Sequence, residues 1–284
     1  MKRFTTILVF SIATVIFAQA TAADAQITDF NSWTQVTDPA DPNFTSSVDT
    51  ATQISLLAAG GPISTGTDIG YQSINGLTPA PSTAGHAFDP AASFQVAIDF
   101  AMSFTSPVGG LAIGFGIGED QGGMNSAGAG LFTQNGIPSV LFGGAARVND
   151  VDQPPQLILA PGQLSGSLFA AYDAASGDVT LGVGSTGALA PATTTTFAAI
   201  QNSWNGGPLF PAFFLRSDDF LVQAWTSGNA TAVFSDFRVI SGTPQTVPES
   251  ATLSMFAIGG LAISRLRATR RRMISVIHAR TITL

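Results

Sequence analysis

Cysteine is absent from this 284-residue chain. Its absence excludes a disulfide framework, thiol catalysis and thiolate-ligated metals. Lys2 is the only lysine, Glu119 and Glu249 the only glutamates, and charged residues make up 10% of the whole. Histidine is confined to His86 and His278. A Ser/His/Asp triad in the middle of the chain would therefore have to use His86, in the loop Ala84-Gly-His-Ala87. No G-x-S-x-G elbow is present to display the serine. A lone loop histidine is ordinarily a solvated one.

Positive charge is missing from the centre. Lys2 and Arg3 open the chain, and Arg265, Arg267, Arg270, Arg271, Arg272 and Arg280 close it. Between them stand Arg147, Arg216 and Arg238 against sixteen acids, a net charge of −13 within a total of −7. A body with three cations cannot track a phosphate backbone, which excludes nucleic acid as a partner.

What is present is hydrophobic at both ends: 45% of residues are apolar and mean hydropathy is +0.32. Met1-Lys2-Arg3 is a positive n-region and Ile7 to Phe17 an apolar h-region. Small-x-small sites follow at Ala18-Gln-Ala20, Ala20-Thr-Ala22 and Ala23-Asp-Ala25. Residues 1–25 are thus expected to be a secretory signal peptide, cleaved after Ala25. An apolar stretch so short does not span a bilayer as an anchor.

From Gln26 the texture changes to Gly, Thr, Ser, Ala and Phe. Phe94, Val96, Ile98, Phe100, Met102 and Phe104 alternate with smaller or polar residues, which predicts a strand with one buried face. Leu111 to Ile117 alternates large residues with Gly or Ala, implying one face closely approached by something else. Leu164–Tyr172, a turn at 173–177 and Asp178–Val183 read as a hairpin with Val179, Leu181 and Val183 inside. Leu209–Arg216 is a further strand that Pro211 pushes towards an edge, and Thr231–Ile240 closes the set. Segments 78–83 and 188–196 read as loops. Short strands without an amphipathic helix predict an all-β antiparallel sandwich over residues 26–243. About 220 residues suffice for one core of that kind.

Two resemblances refine this picture. Tyr172-Asp-Ala-Ala-Ser-Gly-Asp-Val-Thr-Leu181 looks like a hairpin of concanavalin A-like lectin/glucanase domains. Phe234-Ser-Asp-Phe-Arg-Val239 is similar to the strand that closes such domains, with Asp29-Phe-Asn-Ser-Trp33 as its expected partner. The resemblance implies a jelly-roll topology. The terminal segment, residues 244–272, resembles the PEP-CTERM sorting signal of exopolysaccharide-producing Gram-negative bacteria. Val247, Pro248 and Glu249 match its motif, Ser250 replaces the family's second proline, and Arg265, Arg267, Arg270, Arg271 and Arg272 form its basic cluster. The resemblance implies processing by an exosortase, export through the inner membrane, and display on the cell surface or in the extracellular matrix.

Physics supports a transient transmembrane helix at about 250–267. The uncharged run Ala251–Ile263 reaches only about 20 Å as a helix, against a hydrocarbon core of roughly 30 Å. Arg265 and Arg267 can snorkel to extend it, and the arginines hold the C-terminus, including a cytoplasmic tail at 273–284, inside.

Candidate chemistry in the body is sparse. Glu119 and Asp120 are neighbours in sequence, so on a strand they would point to opposite faces and could not form a glycosidase pair. No catalytic residue is therefore assigned, and no cofactor is required. The lectin-like resemblance implies calcium held by loop acids, with Asp218-Asp219, Glu119-Asp120 and Asn149-Asp-Val-Asp152 as candidate ligands. The alternative is solubilising decoration. For carbohydrate, Trp204-Asn205 and Trp225 are the candidate stacking platform, the alternative being core tryptophans. The expectation is a non-enzymatic surface or matrix protein that binds exopolysaccharide. A glycoside hydrolase or lyase of the same fold, or a purely structural matrix component, remain open.

Overall fold

The alternation that begins at Phe94 becomes a 15-residue strand and the spine of one of two facing sheets. The computed structural model describes residues 30–244, except 39, 76–79, 82–86, 120–122, 135–136, 159–162 and 218–224. A 3-10 turn at Phe30–Ser32 leads into β1 (Thr34–Asp38), β2 (Phe44–Thr50), β3 (Gln53–Ala59), β4 (Asp68–Gln72), β5 (Ile74–Asn75) and β6 (Ala80–Pro81). Then come β7 (Phe94–Val108), β8 (Leu111–Gly118), β9 (Ser126–Gln134), β10 (Ile137–Val148), β11 (Val151–Asp152) and β12 (Gln156–Ile158). The hairpin β13 (Ser165–Asp173) and β14 (Asp178–Gly184) precedes β15 (Thr193–Phe197), a 3-10 turn at Ile200–Ser203, β16 (Phe210–Ser217) and β17 (Ser227–Ser241).

One sheet runs β15-β14-β13-β7-β17-β3-β2, and the other runs β1-β4-β16-β8-β9-β10-β11 with β12 also on β10. Neighbours in both sheets are antiparallel, so the all-β antiparallel sandwich is borne out. Between the sheets lie Val96, Ile98 and Phe100 from β7 and Leu168 and Leu181 from the hairpin. Ile113, Phe115, Leu131, Phe142 and Leu215 face them from the β8 sheet. Each large side chain buried this way contributes about 1.5–3 kcal/mol. Trp33 closes one end, its ring centroid 5.1 Å from Phe237 and 5.5 Å from Phe213.

Several expectations need correction. β16 is an interior strand between β4 and β8. Pro211 is tolerated because its carbonyl accepts from Ser73 N (3.0 Å) beyond the last β4 pair, Ala212 with Gln72. Its missing N–H therefore falls outside the ladder. Part of the expected 188–196 loop is β15, whose run of β-branched threonines favours the extended chain. β17 pairs with β3 and β7 rather than with residues 29–33. Trp33 meets the closing strand through its ring instead.

β17 also carries a bulge. Ser235 pairs with Asp99 and Arg238 with Ala97, so Asp236 and Phe237 together oppose the single residue Ile98. Asp236 takes the left-handed conformation at φ 50°. The extra residue sends Phe237 inward and keeps Arg238 on the outer face, where regular alternation would have driven it into the core.

The signal peptide and the residues from Val247 onward lie outside the described residues. Among the described residues no helix is long and apolar enough to cross a membrane.

Candidate functional site

The outer face of the β8 sheet is built from the residues its core-facing side chains leave between them. Because Phe213, Phe115 and Ala129 point inward, alternation places their neighbours outside. One cross-strand row reads Gly70, Phe214, Gly114, Gly130 and Gly143 from β4 to β10. The next row reads Gln72, Ala212, Gly116, Gly128 and Ala145. Four strand spacings of about 4.8 Å make this pavement about 19 Å long.

The missing side chains are used. A Cβ on Gly114 would run into the tip of the Phe214 ring, and a Cβ on Gly130 would come within 2.9 Å of Phe132 Cε2. Both rings therefore lie down over glycine backbone, half-buried, and form one wall of a trough. Ala212, Gly116, Gly128 and Ala145 make its floor, and β8 is buried along its whole length. At the β4 end of the floor stands Gln72, 3% exposed. Its amide Nε2 is buried and has no hydrogen-bond partner among the described residues. A buried amide donor left unpaired costs about 1–3 kcal/mol. Arg216 and Asp68, register partners one row over, stand at the trough's margin. The pavement rows themselves carry no charge.

The acids and tryptophans singled out from sequence do something else. Glu119 is 7% exposed and accepts from Asn125 Nδ2 at 2.8 Å, from Gly207 N at 3.0 Å and from Asn205 N. Asn125 passes the network on by accepting from Asn149 N at 2.7 Å. This carboxylate is a clamp on the loop after Trp204, and its lone pairs are occupied by N–H donors that would repel a cation. Trp204 is 7% exposed and donates its indole N–H to Arg147 O at 3.1 Å. Trp225 is 1% exposed and donates to Gly60 O at 2.9 Å. Neither indole offers a free face for a sugar ring, so the stacking platform expected at Trp204-Asn205 and Trp225 gives way to the core alternative.

Asn149 and Asp150 (φ 50° and 68°) form the two-residue turn between β10 and β11, a type I′ geometry. Arg147 neutralises Asp150 at 2.7 Å and Asp152 at 2.9 Å. His86, Asp120, Asp218 and Asp219 lie outside the described residues. Among the described residues no three His, Asp or Glu side chains group as a metal site.

On the opposite outer face, Asp99 is 5% exposed, although its alternation predicts a solvated position. Arg238 pairs with it at 2.8 Å, Ser167 Oγ donates to it at 2.5 Å, and Gly187 N at 3.1 Å. Arg238 also donates to Ala188 O and to Ser167 Oγ, which lies 2.9 Å from Ser185 O. The segment 185–188 is thereby tied to the sheet through Asp99, Ser167 and Arg238.

Sequence reasoning missed both the trough and the ion pair. The trough's signal was the Gly/Ala alternation of Leu111–Ile117, which recurs at Ala127–Leu131 in the neighbouring strand. Pairing those two patterns would have marked the bare face.

No family model matches the chain, and no curated protein matches its sequence. Solved structures similar in shape include an alginate lyase from Klebsiella pneumoniae: 10% identity, TM-score 0.45, covering 71% of this chain and 84% of that one. A GH16 protein of the Bacteroides ovatus mixed-linkage glucan locus, in complex with a product, has 11% identity and TM-score 0.44, covering 76% and 98%. A legume lectin-like domain from Entamoeba histolytica has 10% identity and TM-score 0.41, covering 74% and 97%. The fold rests on the strand pairing itself: two facing antiparallel sheets.

Proposed function

We propose that this chain is an exported, non-enzymatic β-sandwich that binds polysaccharide at the surface or in the matrix of a Gram-negative bacterium. A PEP-CTERM-type tail delivers it, and an exosortase-type enzyme processes it after a transient membrane span. One observation carries the non-enzymatic part. Among the described residues the two buried carboxylates, Asp99 and Glu119, belong to opposite sheets, and each is fully engaged by donors from its own chain. Glycoside hydrolysis needs two carboxyl groups about 5–9.5 Å apart across one bond, with at least one free to exchange a proton. Buried acids consumed by structure do not suit that role. An aromatic face suits adhesion to a sugar polymer.

Incubating the purified exported protein with the producer's own exopolysaccharide tests the reading. Retention on the polymer without new reducing ends is expected. Release of reducing or unsaturated ends would instead establish a hydrolase or lyase, and neither retention nor release would leave a structural matrix component. Delivery has a separate test: removing Val247–Leu284 should redistribute the protein among cell fractions, and an unchanged distribution contradicts the sorting tail.

A further inference from the structure

The fold ties down several of its asparagine amides. Asn125, 1% exposed, donates its Nδ2 to Glu119 and accepts from Asn149 N. Asn202 Nδ2 donates to Ser176 O, and Asn43 Nδ2 to Pro62 O. Asn205 differs from these. It is exposed, and its side-chain amide has no hydrogen-bond partner among the described residues. Gly206 follows it at φ 78°, where a Cβ would meet nothing within 4 Å. The Glu119 carboxylate accepts from Asn205 N and from Gly207 N, the residues on either side of that glycine. Gly206 N itself has no acceptor among the described residues.

These are the conditions for an intramolecular acylation. A backbone amide nitrogen becomes a nucleophile only on giving up its proton, and no acceptor in the chain holds that proton here. Glycine adds no side chain to crowd the approach. The nitrogen and the amide carbon belong to adjacent residues, so attack closes a small ring and is effectively unimolecular. We propose that Asn205-Gly206 is a self-modifying site. Gly206 N loses its proton to hydroxide, attacks Asn205 Cγ and expels the side-chain nitrogen as ammonia. Water then opens the succinimide. Opening at Cγ leaves aspartate at position 205. Opening at the backbone carbonyl carbon leaves isoaspartate, with the chain rerouted through Cβ and Cγ. In sum, asparagine and water give a carboxylic acid and ammonia, with no oxidant or reductant.

The position gives the reaction a consequence. Rerouting inserts a methylene between Asn205 N and Gly207 N, so the two can no longer both sit on Glu119. That carboxylate is 7% exposed, and losing donors leaves it buried and short of partners. The loop after Trp204 is then released from β8, and the exported protein loosens there with age. The sequence holds two other Asn-Gly pairs, Asn75-Gly76 and Asn135-Gly136, whose glycines lie outside the described residues.

The full exported protein, held folded in mildly alkaline buffer made with heavy-oxygen water, is sampled over time for peptide mapping by mass spectrometry. The peptide holding Asn205 should lose ammonia, gain heavy oxygen and become a substrate for an isoaspartyl methyltransferase. Asn43, Asn125 and Asn202 should remain amides. Asn205→Gln keeps the backbone donors to Glu119 but would have to close a larger ring, so its peptide should stay unmodified. Proteolytic nicking near Gly206 should rise about tenfold in aged wild type and stay at the fresh rate in aged Asn205→Gln. Conversion of Asn205 only after denaturation, or no faster than that of Asn202, would overturn the site. Complete conversion with unchanged nicking would overturn the release from Glu119.

Discussion

On the outer face of the β7 sheet, Asp99, Ser167 and Arg238 are tied to one another and to the backbone of residues 185–188. On the outer face of the β8 sheet, glycines lie bare under two phenyl rings, and the Gln72 amide has no partner among the described residues. The first face spends its polar groups on holding a strap, and the second buries a donor that has no partner among the described residues. Both faces belong to central strands of the same sandwich. Burial of a polar group alone therefore does not mark a binding site; whether the chain's own donors and acceptors consume it does.

The comparison breaks most sharply at Arg238. Arg238→Ala should strand the Asp99 carboxylate and cost about 3–5 kcal/mol in chemical denaturation, because an uncompensated buried charge remains. Replacing both partners, as Asp99→Leu with Arg238→Met, should recover most of that loss, since an ion pair exchanged for apolar packing is often neutral. A loss under about 1 kcal/mol in the single variant would mean that the strap does not depend on the pair.

Glu119→Ala should follow, at about 2–3 kcal/mol. It orphans Asn205 N, Gly207 N and the Asn125 amide together. Proteolytic nicking near Gly206 should accelerate in parallel, and an unchanged nicking rate would contradict the clamp.

Glycines on the two sides of the β8 sheet should then part company. Gly144 faces the core, and a Cβ there would sit 2.8 Å from Thr195 Cγ2 and 3.0 Å from Phe197 Cε2. Gly144→Val should cost about 1–3 kcal/mol by overpacking. Gly128→Val should fall within about 0.5 kcal/mol of wild type. Similar midpoints for the two would erase the distinction between floor and core.

The smallest effects concern pH. Hydrogen bonds from Ser47 and Ser55 hold Asp49 below its ordinary value of 3.8. Its contribution is present above that value and is lost as pH falls through the lower folded one. Burial, with Asp173 and Asp89 nearby, raises Tyr172 above its ordinary 10.0. That contribution is complete below pH 10 and is lost as pH rises through the higher folded value. Asp49→Asn and Tyr172→Phe should flatten the acid and alkaline limbs of the stability curve respectively, while exchanging the two outcomes would contradict both assignments.

Much of the sandwich was legible because period-two burial writes itself into sequence: the strand beginning at Phe94 and the hairpin around Asp173–Gly177 stand where the alternation put them. Strand order was not legible, because Pro211 reads as an edge signal unless the end of its β4 ladder is known. Arg238's place was hidden for a related reason. Its outward aim depends on a one-residue bulge at Asp236, which the sequence does not announce with glycine. The candidate site was the least legible part. Tryptophan signals sugar binding strongly by type, yet both candidates are anchored indoors by their indole N–H. The trough is made of glycine and phenylalanine, residues that sequence reasoning assigns to turns and cores.

The most direct test of the central claim is an NMR titration of the exported protein with the producer's exopolysaccharide. The account predicts that the Gly128 and Ala145 backbone amide signals and the Phe214 ring signals shift together and saturate, while Ser167 and Arg238 stay still. Shifts gathered around Ser167 and Arg238, with Gly128 and Phe214 unmoved, would contradict it.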